Sequence, residues 1–253
     1  MSDENVLVFL SGYSSGLDEF PKLCLVDENA RGKVVEFGGW FGYKLVNGLC
    51  FHNGVLYDSR GVPESKDEDY VGGVRETLSG KLVAKREDYI VSMCSNDGEL
   101  YDVDNKGKVR LTFSNEVLTG RGEWGISELC SHKGVLLETG DYGIRETISG
   151  RRRFRDKSLN DLKTLCSHDG KLYFMDDDST IGTAPSSDEF YRSKWNGMSL
   201  GSHNGKLLVG GRDNSTGIIR DLLTGDVVAK KEVNIYSMCS VPRSYFVEAG
   251  ILK

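Results

Sequence analysis

The sequence predicts an all-β fold built from about six repeated units. Three observations predict it. A cysteine-centred phrase returns along the chain at nearly even steps. Glycine is abundant, 31 of 253 residues, while proline numbers only 4, which points to many tight turns between short strands. No segment sustains an apolar stripe at helical spacing.

The phrase comes first as Gly48-Leu49-Cys50-Phe51-His52-Asn53-Gly54 and then as Ser92-Met93-Cys94-Ser95-Asn96-Asp97-Gly98. It returns as Glu128-Leu129-Cys130-Ser131-His132-Lys133-Gly134 and as Thr164-Leu165-Cys166-Ser167-His168-Asp169-Gly170. A fifth copy, Ser199-Leu200-Gly201-Ser202-His203-Asn204-Gly205, carries glycine in the cysteine slot, and a sixth is shortened to Ser237-Met238-Cys239-Ser240. The steps between slots are 44, 36, 36, 35 and 38 residues. A fixed period of this length marks a solenoid, a propeller or an array.

Each period divides into strands. The phrase alternates and then meets Asn-Gly or Asp-Gly, a strong hairpin signal. A second strand follows, as in Val55–Asp58, Glu99–Asp102 and Lys171–Phe174. A third ends in a glycine turn at Val74–Gly80, Ile144–Gly150 and Ile219–Gly225, and a fourth is exemplified by Lys81–Lys85 and Asp226–Lys230. Four antiparallel strands in roughly 40 residues match one blade of a propeller.

On these residues nearly the whole chain resembles the β-propeller repeat proteins, in the general manner of WD40 and kelch architectures. The Gly-His and Trp-Asp marks of WD40 repeats are missing, and a kelch-like double glycine occurs only at Gly72-Gly73 and Gly210-Gly211. The fold class expected is therefore an all-β β-propeller of six blades, favoured over five or seven. Residues 1–253 form one domain, with repeats starting near 44, 89, 124, 160, 195 and 233. The sixth copy runs out of chain after Ile235–Ser240 and Ser244–Ala249, so residues 1–43 are expected to complete its blade. Lys22–Asp27 and Lys33–Phe37 read as its third and fourth strands, leaving Val6–Leu10 as a strand without a place.

The recurring residues read as structure. Small cysteines suit the point where the innermost strands converge, and Gly201 in the same slot indicates a requirement for size. The four histidines, His52, His132, His168 and His203, stand beside the hairpin turns, where a bond to the turn backbone would explain them. Arg75, Arg110, Arg145 and Arg220 recur on the third strand, with Asp58, Asp102 and Glu138 as the expected cross-strand partners.

Features that break the repeat are the functional candidates. Trp40, Trp124 and Trp195 lie in the connections leading into inner strands, with Tyr89 in a similar connection. In a propeller those connections share a face with the loops between second and third strands, which carry Arg60, Tyr142 and Arg212 among acidic and amide residues. One face would then hold aromatic platforms ringed by polar groups, a mixture suited to a peptide or a carbohydrate. Asp102, Asp104, Asp176 and Asp178 are the weaker candidates, for a hard cation.

Charge and motifs narrow the function. Lys and Arg number 32 against 38 Asp and Glu, a net charge of −6, which argues against a general nucleic-acid binder. No HExxH, phosphate loop or nucleophile elbow occurs. The N-terminus is acidic and the apolar stretch after it too short for a membrane span, so a cytoplasmic, monomeric protein is expected. The leading expectation is a non-catalytic scaffold or binding module for a protein or peptide, with no cofactor. The alternatives are a carbohydrate-binding or carbohydrate-processing propeller, and a metal-dependent lactone or ester hydrolase. The last follows from the resemblance, because six-bladed propellers include calcium-dependent hydrolases with the metal in the central channel.

Overall fold

The computed structural model describes residues 4–12, 22–27, 33–39, 46–61, 72–119, 126–140, 143–155, 161–185, 191–192, 196–214, 216–232 and 234–252. Strands β1 (Asn5–Gly12), β2 (Lys22–Asp27) and β3 (Lys33–Gly39) open the chain and wait for a partner from its other end. Blade 1 follows as β4 (Val46–His52), β5 (Val55–Gly61), β6 (Gly72–Glu76) and β7 (Leu82–Arg86). Blade 2 holds β8 (Ile90–Asn96), β9 (Glu99–Asp104), β10 (Val109–Leu111) and β11 (Val117–Thr119). Blade 3 holds β12 (Leu129–His132), β13 (Val135–Gly140), β14 (Gly143–Glu146) and β15 (Arg152–Arg155). Blade 4 holds β16 (Leu162–His168), β17 (Lys171–Asp176), β18 (Thr180–Ala184) and β19 (Tyr191–Arg192). Blade 5 holds β20 (Asn196–His203), β21 (Lys206–Asp213), β22 (Thr216–Asp221) and β23 (Val227–Lys231). The last strand, β24 (Asn234–Pro242), joins the first three in the order β24-β1-β2-β3.

Six four-stranded sheets result, and their first strands meet in sequence. Strand β4 touches β8, β8 touches β12, then β16, β20 and β24 follow, and β24 returns to β4. That circuit is a six-bladed β-propeller closed by strands from both ends of the chain, as the repeat predicts. The hairpins behind the inner strands form because two successive residues take positive φ. Asn53 and Gly54 stand at 47° and 80°, Asp97 and Gly98 at 49° and 80°. Asn and Asp tolerate this conformation and glycine has no Cβ to oppose it.

The core lies between blades. Six apolar clusters occur, and each spans one blade–blade contact. Strand β1 shows how period-2 alternation does this. Val6, Val8 and Leu10 face Leu49 and Leu56 of blade 1, while Leu7 and Phe9 face Leu208 and Ile219 of blade 5.

The closing blade corrects one expectation. Ser244–Ala249, read as its second strand, is instead covered by helix α1 (Arg243–Glu248), and β1 takes the place of that strand. The reason is physical. Strand β1 is apolar on both faces and lies between two blades, pairing with β24 from Asn5 opposite Pro242 to Gly12 opposite Asn234. Pro242 lacks an N–H and ends β24. The segment after it buries one side chain completely, Phe246, as a single helical turn can.

The cysteines follow the packing reading. Cys50, Cys94, Cys130, Cys166 and Cys239 lie on the five inner strands β4, β8, β12, β16 and β24, and no cysteine of the chain is in a disulfide. In the Gly201 slot an added Cβ would stand 3.3 Å from Met238 Cε and 3.4 Å from Met238 Cβ, so the neighbouring methionine already occupies the space. Cys24 is separate, on β2, with Sγ 3.5 Å from Ser11 Oγ.

The histidines are tied differently from the expectation. Each reaches a serine of the next blade. His52 Nδ1 lies 2.9 Å from Ser95 Oγ, His132 from Ser167, His168 from Ser202 and His203 from Ser240, each at the same distance. Asn96 takes the histidine's place in blade 2 and accepts from Ser131 Oγ at 2.7 Å. At the sixth junction the two positions are Val241 and Phe51, and both belong to the apolar cluster around Phe246. Helix α1 covers that seam. The Tyr245 ring packs edge-on to Phe51 at 5.6 Å, and its hydroxyl accepts from the Leu56 amide at 3.4 Å.

Candidate functional site at the loop face and the axial throat

The strand order puts the strand ends that lead into the candidate loops and connections on one face, because antiparallel strands return the chain there after every second strand. Trp40, Trp124, Trp195 and Tyr142 lie outside the described residues. Arg60 belongs to β5, paired with Gly73 of β6; its side chain is likewise outside the described residues. Tyr89 and Arg212 are described, and both are exposed.

Tyr89 stands on a rigid ledge. Its carbonyl accepts from the Asn105 amide at 3.1 Å. Gly72 presses against the same backbone, where a Cβ would lie 2.9 Å from Tyr89 Cα and 2.4 Å from the Asp88 carbonyl oxygen. Only glycine allows this approach. The residue keeps 36% of its surface open to solvent. Next to it Lys106 Nζ pairs with Asp88 Oδ1 at 2.8 Å. Arg212 lies in another quarter of this face, on β21, where its Nε donates to the Asn214 carbonyl.

The carboxylates weighed for a cation serve the frame. Asp102 is buried and takes a two-pronged bond from Arg86, with Nε to Oδ1 at 2.9 Å and Nη2 to Oδ2 at 2.5 Å. Arg86 belongs to blade 1 and Asp102 to blade 2, so this pair joins two blades. Asp104 accepts from Arg110 Nη2 at 2.6 Å and from the amides of Lys106 and Lys108 at 2.9 and 3.0 Å. Asp176 caps its own turn by accepting from the Thr180 amide at 2.7 Å, and Asp178 is exposed. Among the described residues no group of three or more His, Cys, Asp or Glu is placed to hold a metal ion. Of the third-strand arginines, Arg110 stands opposite Asp102 at 3.8 Å but bonds Asp104 more closely, and Arg220 stands opposite Val209. Arg145 bonds Glu138 directly opposite it, and Arg75 stands opposite Asp58.

The structure adds a residue that sequence reasoning passed over. Two places before the cysteine slot the six copies read Gly48, Ser92, Glu128, Thr164, Ser199 and Ser237. Five are small, and one is an acid. Its carboxyl accepts from Ser92 Oγ of blade 2 and is also hydrogen-bonded by Thr164 of blade 4. A side chain between two sheets meets one neighbour. Glu128 meets both flanking blades, so it runs around the inner edge of its strand into the axial throat. The thiols agree with this position, because Glu128 raises those of Cys50, Cys94, Cys130 and Cys166, which belong to four successive inner strands. Burial is the larger cause in each and drives Cys130 to about 12; these thiols stay protonated at neutral pH.

Enclosure acts on Glu128 as well. It pushes the carboxyl up to about 7, against the lowering effect of bonds from Ser92, Leu129 and Thr164. No ion pair to a lysine or arginine forms at Glu128 among the described residues. The residue is only partly enclosed and keeps some contact with solvent. Glu128 precedes β12, so it stands at the loop-face end of the throat. Comparing the six copies column by column would have exposed it, since only this copy places a charge at that position.

No protein-family model matches the sequence, and no curated protein matches it. Among solved structures 515 chains match. One, from a crystal structure of a nidogen/laminin complex, aligns with a TM-score of 0.67 and 13% identity, covering 94% of this chain and 98% of that one. Another, the computationally designed Ika8 protein, aligns at 14% identity over 90% of this chain and 79% of that one, with a TM-score of 0.49. At such identity the first likeness speaks for the fold alone: the chain is an all-β, six-bladed β-propeller.

Proposed function

We propose that this propeller is a non-catalytic binding module that takes a protein or peptide partner on the loop face carrying Tyr89. The exposed Tyr89 ring on its rigid ledge carries this reading. Aromatic anchors held by a fixed backbone supply contact area at small entropic cost and dominate many interfaces. The ion pair and polar groups beside the ring suit the rim of such a contact. The nidogen/laminin likeness adds support from a propeller in a protein complex. Six cysteines outside any disulfide support placing the module in a reducing compartment such as the cytoplasm. The reading calls for no cofactor.

The test is quantitative affinity capture from cells of the source organism, with wild type, Tyr89→Ala and Leu223→Ala as baits. Leu223 is an exposed turn residue between third and fourth strands, on the opposite face. A partner captured by wild type and Leu223→Ala but lost with Tyr89→Ala is expected. Equal capture by all three baits would overturn the loop-face reading. Saturable binding to a glycan array that Tyr89→Ala removes would replace the protein partner with a carbohydrate.

A further inference from the structure

We propose that the axial throat at Glu128 is a binding site for a primary ammonium group. This goes beyond the Tyr89 reading, because the throat would take the same group from a free amine or from a lysine side chain of a bound protein. The first support is position. Glu128 stands where five other copies carry Gly, Ser or Thr, and its carboxyl bridges blades 2 and 4 across the inner edge of blade 3.

The second support is electrostatic. Buried carboxylates are ordinarily neutralised by a cation within the protein. In this molecule Asp102, Asp104 and Glu138 all have arginines. Among the described residues Glu128 has hydroxyl and amide donors and no lysine or arginine, and a positive charge would complete this set. The third support is shape and valence. Ser92 Oγ gives its proton to Glu128 and accepts from the Leu129 amide at 3.1 Å; Thr164 Oγ1 accepts from the Leu200 amide at 3.4 Å. These hydroxyls can turn to accept from an entering donor. A compact ammonium with three N–H groups matches one carboxylate and two hydroxyls among small residues. A calcium ion needs six to eight oxygens, and no three-carboxylate cluster stands among the described residues.

The titratable groups facing the carboxyl are the thiols of Cys50, Cys94, Cys130 and Cys166. All four stay protonated below pH 9, so among the described residues Glu128 sets the pH dependence there. An amine keeps its charge across this range. Affinity should therefore rise about tenfold between pH 6 and pH 8 as Glu128 ionises.

The experiment is calorimetric titration of the full chain with n-butylamine and with Nα-acetyl-lysine methylamide at pH 6 and pH 8. Tetramethylammonium and Ca²⁺ serve as comparison ions. Carbon-13 NMR of labelled glutamate carboxyls follows Glu128 directly in the wild type. Both amines should bind, more tightly at pH 8, and should pull the Glu128 titration to lower pH. Glu128→Gln should weaken binding by about tenfold or more. Binding of butylamine without the lysine derivative would identify a free amine as the source. Binding of both would fit a lysine of a protein partner. An unmoved Glu128 titration, equal binding by Glu128→Gln, or equal binding of tetramethylammonium would overturn the proposal. A Ca²⁺ effect as large as the amines' would also overturn it, in favour of a metal.

Discussion

At the scale of single residues, this propeller keeps its buried charges of two kinds apart. Asp102 and Arg86 belong to neighbouring blades and satisfy each other, with Arg86 Nη2 also donating to the Thr112 carbonyl at 3.0 Å. Both side chains are almost fully enclosed. Replacing such a pair with apolar groups can be harmless, but removing one partner strands the other charge. Asp102→Ala should therefore cost about 3–5 kcal/mol of stability, read as a lowered midpoint in urea. A loss below about 1 kcal/mol would show that Arg86 finds new partners or water. Glu128 is the other kind, a carboxyl that among the described residues has hydroxyl and amide donors and no lysine or arginine.

At the scale of elements, the closing blade shows where the chain guards its weakest junction. Five blade contacts carry a polar link at the end of the inner strand, four from histidine to serine and one from Ser131 to Asn96. The sixth, between β24 and β4, has Val241 and Phe51 instead, and helix α1 packs over them. Phe246 is fully buried in that seam, with its ring 5.2 Å from the Phe37 ring. Phe246→Ala should cost about 3–5 kcal/mol, and protection of β1 amides in hydrogen exchange should fall with it. Undiminished protection of β1 would mean that strand pairing alone closes the ring. The repeat made most of this element plan legible in the sequence, since the slot spacing and the turn dipeptides mark strand ends. Val6–Leu10 was harder to place, because a strand apolar on both faces fits any position between two blades. The helix at Ser244 was hidden because six residues are too few to show a period. Of the loop-face aromatics named from the sequence, Tyr89 is the one among the described residues, and it is exposed. Glu128 escaped notice because it sits inside the phrase that reads as structure, and its meaning appears only when six strands converge.

At the scale of the whole molecule, two sets of buried groups pull stability in opposite directions with pH. Burial lowers the pKa of His52 and His132 below the ordinary 6.5. In the belt His52 Nε2 lies 3.0 Å from Asn53 Nδ2 and His203 Nε2 lies 3.1 Å from Asn204 Nδ2. That arrangement has the amide donating to an unprotonated ring nitrogen, so a second proton would break it. A proton is therefore taken up more readily by the unfolded chain. The histidine contribution is complete above pH 6.5 and is lost as pH falls below it toward the folded-state values. Glu128 runs the other way. Its folded pKa, raised from 4.5 to about 7, means that the unfolded chain gives up this proton first. Its contribution is complete below pH 4.5 and declines as pH rises to about 7 and beyond, by about 2–4 kcal/mol at pH 8. The two losses overlap between pH 4.5 and 6.5, so the wild-type profile there is flatter than either contribution alone, and above pH 6.5 only the Glu128 loss continues. Glu128→Gln removes the loss on the alkaline side and leaves the histidine side in place. Its stability should rise up to about pH 7 and then stay level, and it should exceed the wild type at pH 8 but not at pH 5. Chemical denaturation at pH 5, 6, 7 and 8 for both proteins measures this directly. Parallel profiles would mean that Glu128 ionises in the folded protein without cost.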